Sequence, residues 1–216
     1  MVQDIIKEIE NLSGNYSGYE IFNDWVKATA ISISNGIDKA SGRTNETWRR
    51  REDEYMAIAK KHGVDRMQRF SKMTMLLALA LENNLEDVLG RVYMEAGLGS
   101  KQTGQFFTPF HISEMMAKLT IPLTGEKITL NEPSCGGGGM LIAGAKRLKD
   151  GGLNFQKLLD VTANDLDWKG VYMTYVQLSL LGIRATVWQG DTLSDSKPSA
   201  EQIYYTPAKR GILVGI

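Results

Sequence analysis

Cysteine is almost absent from this chain of 216 residues: Cys135 stands alone. One thiol excludes an internal disulfide framework and any zinc site built from cysteine pairs. Histidine is nearly as scarce. His62 and His111 lie far apart and at no ligand spacing, so no metal site is expected. An excess of one charge sign is missing too, because 25 Lys and Arg balance 25 Asp and Glu. No global field draws the chain to a polyanion, and any attraction to nucleic acid must come from local clustering. Long hydrophobic runs are lacking. Met75 to Leu81 is the longest strongly apolar stretch and is far too short to span a bilayer. The opening residues, Met1 to Glu8, carry acids where a secretory leader needs a basic segment and then an apolar one. The expectation is a cytoplasmic protein with no membrane association. Proline is sparse: Pro109, Pro122, Pro133, Pro198 and Pro207 are the full set, and no two are adjacent.

What is present divides near residue 100 into a helical region, 1–100, and a core, 101–216. Ile5, Ile6, Ile9 and Leu12 fall on one helical face, and Ile21, Phe22, Trp25, Val26 and Thr29 continue the pattern. The polar stretch around Ser34-Asn35-Gly36 and Ser41-Gly42 breaks it. Helices are predicted over Glu46–Lys61, Asp65–Glu82 and Leu85–Ala96, with His62-Gly63 and Asn83-Asn84 as stops. From Lys127 the texture changes to strand, helix, strand, helix, strand. The strands are Ile128–Asn131, Leu158–Ala163 and Ala185–Trp188; the helices are Met140–Lys149 and Trp168–Leu181. That alternation predicts an α/β fold with a parallel sheet and crossover helices. Gly211–Ile216 reads as a fourth strand, and Ser194–Pro207 as polar and irregular.

The strongest feature is the turn Asn131-Glu132-Pro133-Ser134-Cys135-Gly136-Gly137-Gly138-Gly139-Met140-Leu141. It follows a strand and opens a helix, where glycine lets the backbone turn sharply and approach a ligand closely. A dinucleotide fingerprint fails here. Its third glycine would fall on Leu141 or Ile142, depending on where the count begins. Glu132 would also repel a pyrophosphate. A carboxylate there suits a ligand with a cationic end, such as the ammonium or sulfonium of S-adenosylmethionine. Asp165 closes the second strand, where an acid accepts from ribose hydroxyls. Asp191 closes the third, where an acid accepts from an adenine amine. A plain turn is the competing explanation, but it needs one or two glycines rather than four.

Glu132 to Leu141, E-P-S-C-G-G-G-G-M-L, resembles D-P-A-C-G-S-G-G-F-L, the first motif of adenine-N6 DNA methyltransferases such as the modification subunit of type I restriction systems. Thr103-Gly104-Gln105-Phe106-Phe107-Thr108-Pro109 is similar to that family's G-Q-F/Y-F/Y-T-P segment, and Gly190-Asp191-Thr192-Leu193 to its G-D-x-L motif. The resemblance covers about residues 85 to 193. It implies a Rossmann-like S-adenosylmethionine-dependent methyltransferase fold with an all-helical amino-terminal region, acting on adenine in DNA. It further implies that Gln105, Phe106, Phe107, Thr108 and Pro109 wrap the cofactor. Glu132, Ser134, Cys135, Gly136 and Gly138 then lie along its methionine–ribose part, Asp165 on the ribose, Leu166 against the adenine ring and Asp191 on the adenine amine. The family has Asp where Glu132 stands, and usually Glu where Asp165 stands. Its catalytic tetrapeptide, N/D/S-P-P-Y/F, positions a flipped base for methyl transfer. No such sequence occurs here, so the catalytic residues are unknown, and Tyr204-Tyr205-Thr206-Pro207 has the wrong order to substitute. Three readings stay open: an enzyme acting by another group or completed by another chain, a binding module that holds the cofactor without transferring methyl, and a nucleotide-binding fold whose site is lost.

Lys39 to Lys72 holds ten basic residues against five acids. It is either a DNA-backbone surface or a solvated helix face with Glu46–Arg50 and Arg50–Glu54 pairs, and the second is favoured. The amino-terminal helices, with Met67, Met73, Met75 and the following leucines, are read as core. A protein partner or a second copy docking there is the alternative. Cys135 is expected to pack at its loop rather than act as a nucleophile, and His111 to cap or pack. Trp168, Tyr172 and Tyr175, at helical spacing, are expected in the core.

Overall fold

The computed structural model describes residues 1–99, 107–194 and 197–212. Four helices come first: α1 (Val2–Leu12), α2 (Gly18–Ala40), α3 (Glu46–Asn83) and α4 (Val88–Glu95). Ser17 starts α2 with a reciprocal cap, accepting from the Glu20 N–H while the Glu20 carboxylate accepts from the Ser17 N–H. α2 does not break at Ser34-Asn35-Gly36, contrary to the sequence expectation. Both polar side chains there are buried and bonded across to α3. Ser34 Oγ accepts from Arg51, and Asn35 Nδ2 donates to the Trp48 carbonyl and the Glu52 carboxylate. These tertiary bonds replace the local side-chain-to-backbone bonds that make such residues helix breakers. α2 ends instead at Ser41-Gly42, where Gly42 has φ +70°. The predicted stop at Gly63 is a kink: φ is +71° there, and the helix resumes at once.

The second half comprises α5 (Phe110–Thr120), β1 (Ile128–Glu132), α6 (Gly139–Asp150), α7 (Phe155–Leu158), β2 (Leu159–Asp165), α8 (Trp168–Leu180), β3 (Arg184–Gln189) and β4 (Ile203–Tyr205). The sheet order is β1-β2-β3-β4; β1, β2 and β3 are parallel, and β4 is antiparallel to β3. The fourth strand among the described residues is not the one the sequence suggested. The described strand lies at Ile203–Tyr205, inside the stretch read as irregular, and Gly211 and Ile212 lie outside any strand. Residues 213–216 fall outside the described residues. Register explains the short strand. Tyr204, facing Val187, buries its ring against Trp168, Tyr172 and Tyr175 of α8, and aromatic burial outweighs weak local propensity.

Register also sorts the sheet into two unlike faces. Leu159, Val161, Ala163, Ala185 and Val187 are fully buried on one. Thr129, Asn131, Thr162 and Thr186 alternate with them on the other. The buried face packs on α6 and α8, and α2 lies over the outer side of α8. Layered between the sheet and α2, α8 is buried from Lys169 to Ser179. One hydrophobic cluster runs from Val2 to Tyr204. Among the described residues no helix is long and apolar enough to cross a membrane.

Candidate cofactor cleft

The carboxyl ends of β1, β2 and β3 meet at a cleft of about 340 Å³, lined by Asp87, Phe107, Thr108, Ser113, Ser134, Cys135, Gly136, Gly137, Gly139, Met140 and Asp165. Loops at the carboxyl edge of a parallel sheet are where such folds hold ligands, and the volume lies in the range of small-molecule sites. The Gly-rich turn earns its shape by position. Gly136 has φ +50° and Gly138 φ +89°, conformations that favour glycine. A Cβ on Gly136 would sit 2.9 Å from the Phe107 ring. That ring also packs edge-on against Tyr93, at 5.3 Å between centroids.

Asp165 holds the turn in place. Its Oδ2 accepts from the Gly136 N–H at 2.8 Å and its Oδ1 from the Asp167 N–H at 2.9 Å. A carboxylate keeps lone pairs beyond these two bonds, so it can still accept from a hydroxyl. The three strand ends are laced together behind it. Asn164 donates from Nδ2 to Thr192 Oγ1, and the Thr192 hydroxyl donates to the Pro133 carbonyl at 2.7 Å. The Cys135 N–H donates to the Asn164 carbonyl at 2.9 Å. Glu132 is half-buried and accepts from the Ser134 N–H; burial raises its carboxyl above the ordinary 4.5. Burial also pushes the Cys135 thiol up to about 12, which suits the packing role and not nucleophilic attack.

Most of the sequence-named residues converge. Phe107, Thr108, Ser134, Cys135, Gly136 and Asp165 line the cleft together, Glu132 ends β1 just before the lining turn, and Gly138 caps α6. Leu166 is 70% exposed and Leu193 94% exposed, so two bare apolar side chains flank the β2 and β3 ends where a planar ring would need faces. Asp191 is exposed, and its Oδ1 accepts from the Leu193 N–H. Pro109 is exposed and precedes α5. Gln105 and Phe106 lie outside the described residues. His111 is exposed on α5, away from the lining.

Two lining residues lie outside every motif read from the sequence. Asp87 is fully buried, and its Oδ1 accepts from the Gly90 N–H and from Gln177 Nε2, each at 2.8 Å. Gln177 also donates to the Gly137 carbonyl at 2.6 Å and accepts from the Leu89 N–H. Burial raises the Asp87 carboxyl above the ordinary 3.8. Ser113 is fully buried, and its hydroxyl has no hydrogen-bond partner among the described residues. The sequence signal for Asp87 was only that of a helix cap before Val88-Leu89; nothing marked Ser113.

The basic stretch is largely engaged elsewhere. Arg43, Arg50, Lys61, Arg69 and Lys72 form ion pairs, and Arg51 is buried. Arg50 pairs with Glu201 and Glu54 with Lys27, in place of the expected i,i+4 pairs, because α2 and the β4 approach bring acids and bases alongside α3. A second cavity, about 430 Å³, lies between α2, α3 and α8. Its Lys27–Glu54, Arg50–Glu201 and Lys169–Asp167 pairs satisfy one another.

An open sheet with a Gly-rich turn, three acids at consecutive strand ends and a helix starting at the cleft defines an α/β protein with a ligand-sized cleft at the carboxyl edge of its sheet. The family model described as N-6 DNA Methylase matches residues 84–207, more than half of the chain. The chain belongs to the N-6 DNA methylase family. Among solved structures it is similar to the methyltransferase subunit of the type I restriction-modification system from Streptococcus thermophilus, at 12% identity and a TM-score of 0.46. The match covers 93% of this chain and 61% of that one, so the chain spans less than two-thirds of that subunit's length. No curated protein matches the sequence.

Proposed function

We propose that the chain binds S-adenosylmethionine in the cleft and serves adenine-N6 methylation of DNA. Family membership and the buried Asp165, poised under the Gly-rich turn, carry this reading. The residues present fit that cofactor. Asp165 accepts from the ribose, Leu166 and Leu193 take the adenine faces, Asp191 takes its amine, and Glu132, Ser134, Cys135, Gly136 and Gly138 follow the methionine–ribose part. Phe107, Thr108 and Pro109 close over it. Bound there, the cofactor supplies an electrophilic methyl group. The chain's part is to hold and orient it and to exclude water. The carboxyl-side residues 101–216 form the methyltransferase core, and residues 1–100 the helical region that braces it.

A second reading, a binding module without transfer, is favoured by the lack of any adjacent prolines. In either case DNA contact falls to cations such as Lys39, Arg49 and Lys60, and a protein partner or second copy would meet the amino-terminal helices. The test is calorimetric titration with S-adenosylmethionine, followed by incubation with labelled cofactor and adenine-containing DNA. Binding by the wild type and its loss in Asp165→Ala are expected. Label on the DNA selects the enzyme; binding without label selects the module; no binding refutes both.

A further inference from the structure

We propose that Asp87, together with Ser113, forms the pocket for the α-ammonium group at the amino-acid end of the cofactor; this rests on the cofactor reading above. Among the described residues, Asp87 is anchored through Oδ1. Its Oδ1 receives both the Gly90 N–H and Gln177, while Oδ2 faces the Gly-rich turn. A Cβ on Gly137 would lie 2.5 Å from Oδ2, and one on Gly139 would lie 3.3 Å from it and 3.6 Å from Ser113 Oγ. Oδ2 and the Ser113 hydroxyl therefore converge on Gly139, in the lining of the cleft.

Both groups are left wanting a donor. Ser113 Oγ is fully buried with no partner among the described residues, a state that native proteins seldom tolerate. Among the described residues Asp87 is a buried carboxylate facing no cation: its polar partners are amide groups, and a buried carboxylate is costly unless a cation meets it. An ammonium satisfies both, donating one hydrogen to Oδ2 and another to Oγ. The partner group of the same zwitterion also has a place. α6 begins at the cleft with Gly138 as an N-cap that lacks any side-chain acceptor, and with no acid in its first turn. Its free N–H groups and positive dipole end suit a carboxylate. The cleft thus reads as a receptor for an amino acid joined to a nucleoside, with Asp165 at the nucleoside end and Asp87 at the amino-acid end.

The test is a ligand-by-mutant cycle. S-adenosylhomocysteine and its deaminated analogue, which lacks only the amino group, are titrated calorimetrically into the wild type, Asp87→Asn and Ser113→Ala. The wild type is expected to prefer the amino form by about 10- to 100-fold, the range of a charge-assisted hydrogen bond. Asp87→Asn should cut that preference to about threefold or less while leaving the deaminated analogue bound as before. A wild type that binds both forms equally overturns the assignment and spares the cofactor reading. Equal losses for both ligands in Asp87→Asn also overturn it, marking Asp87 as structural only. A wild type that binds neither overturns the cofactor reading, and this assignment with it. If Asp87→Asn does not fold, Ser113→Ala decides: an undiminished preference overturns the proposal.

Discussion

Replacing Gly137 by alanine puts a methyl group where the Asp87 carboxylate already lies. The new Cβ would stand 2.5 Å from Oδ2, 2.8 Å from Oδ1 and 3.0 Å from Cγ, all well inside van der Waals contact. The carboxylate cannot swing aside freely. Oδ1 holds the Gly90 N–H that starts α4 and Gln177, which itself holds the Gly137 carbonyl. Overpacking of this kind costs about 1–3 kcal/mol, and each charge-assisted bond strained or broken adds about 1.5 kcal/mol or more. A total near 3 kcal/mol corresponds to a drop in Tm of about 6–12 °C at this chain length. Circular dichroism melting of the wild type and Gly137→Ala reads it directly. Asp87→Ala removes the obstacle, so Gly137→Ala added to that background should cost about 1 kcal/mol or less. A Gly137→Ala protein that melts within about 2 °C of the wild type would refute the reasoning, and so would an equal cost in both backgrounds.

Asp87 also predicts a pH dependence. Its carboxyl is raised in the folded state by burial, so its stabilising contribution is full below the ordinary 3.8 and is lost as pH rises through the raised value. The Tm of Asp87→Asn minus that of the wild type should therefore increase from about pH 4 to about pH 7; a flat or falling difference contradicts the assignment. Arg51 donates to Ser34 Oγ at 3.0 Å and to the Ile203 carbonyl at 2.7 Å, and stacks 3.9 Å over the Tyr204 ring. Arg51→Met leaves those acceptors unpaired, and a loss of about 3 kcal/mol is expected by urea denaturation. Gly36 sits exposed inside α2 with open space where a Cβ would go. Gly36→Ala should raise stability by about 0.5–1 kcal/mol, seen as a higher denaturation midpoint.

Much of the cleft could be read from the chain because its chemistry is contiguous. Glu132 to Met140 lies on a single strand–turn–helix, and Asp165 follows at the end of the next strand; such local units carry their meaning in order and spacing. Phe107 and Thr108 could be placed only by resemblance, yet they do line the cleft. Asp87 and Ser113 could not be found this way. Asp87 caps α4 and is held at the turn by Gln177 of α8, which bonds both it and Gly137, while Ser113 comes from α5. α2 shows the same limit from the other side. Ser34, Asn35 and Gly36 are locally poor helix residues, and no local pattern reveals Arg51 and Trp48 waiting on α3.

The sequence by itself determined the β1–α6–β2–α8–β3 order, the Gly-rich turn with its acids, and the absence of the Pro-Pro tetrapeptide, since each is a property of consecutive residues. Only the tertiary structure decided where β4 pairs, that α2 runs unbroken, and that a buried carboxylate from the helical region faces the Gly-rich turn. Those depend on bonds between residues far apart in the chain, where burial removes water and makes each unpaired polar group costly enough to override local preference.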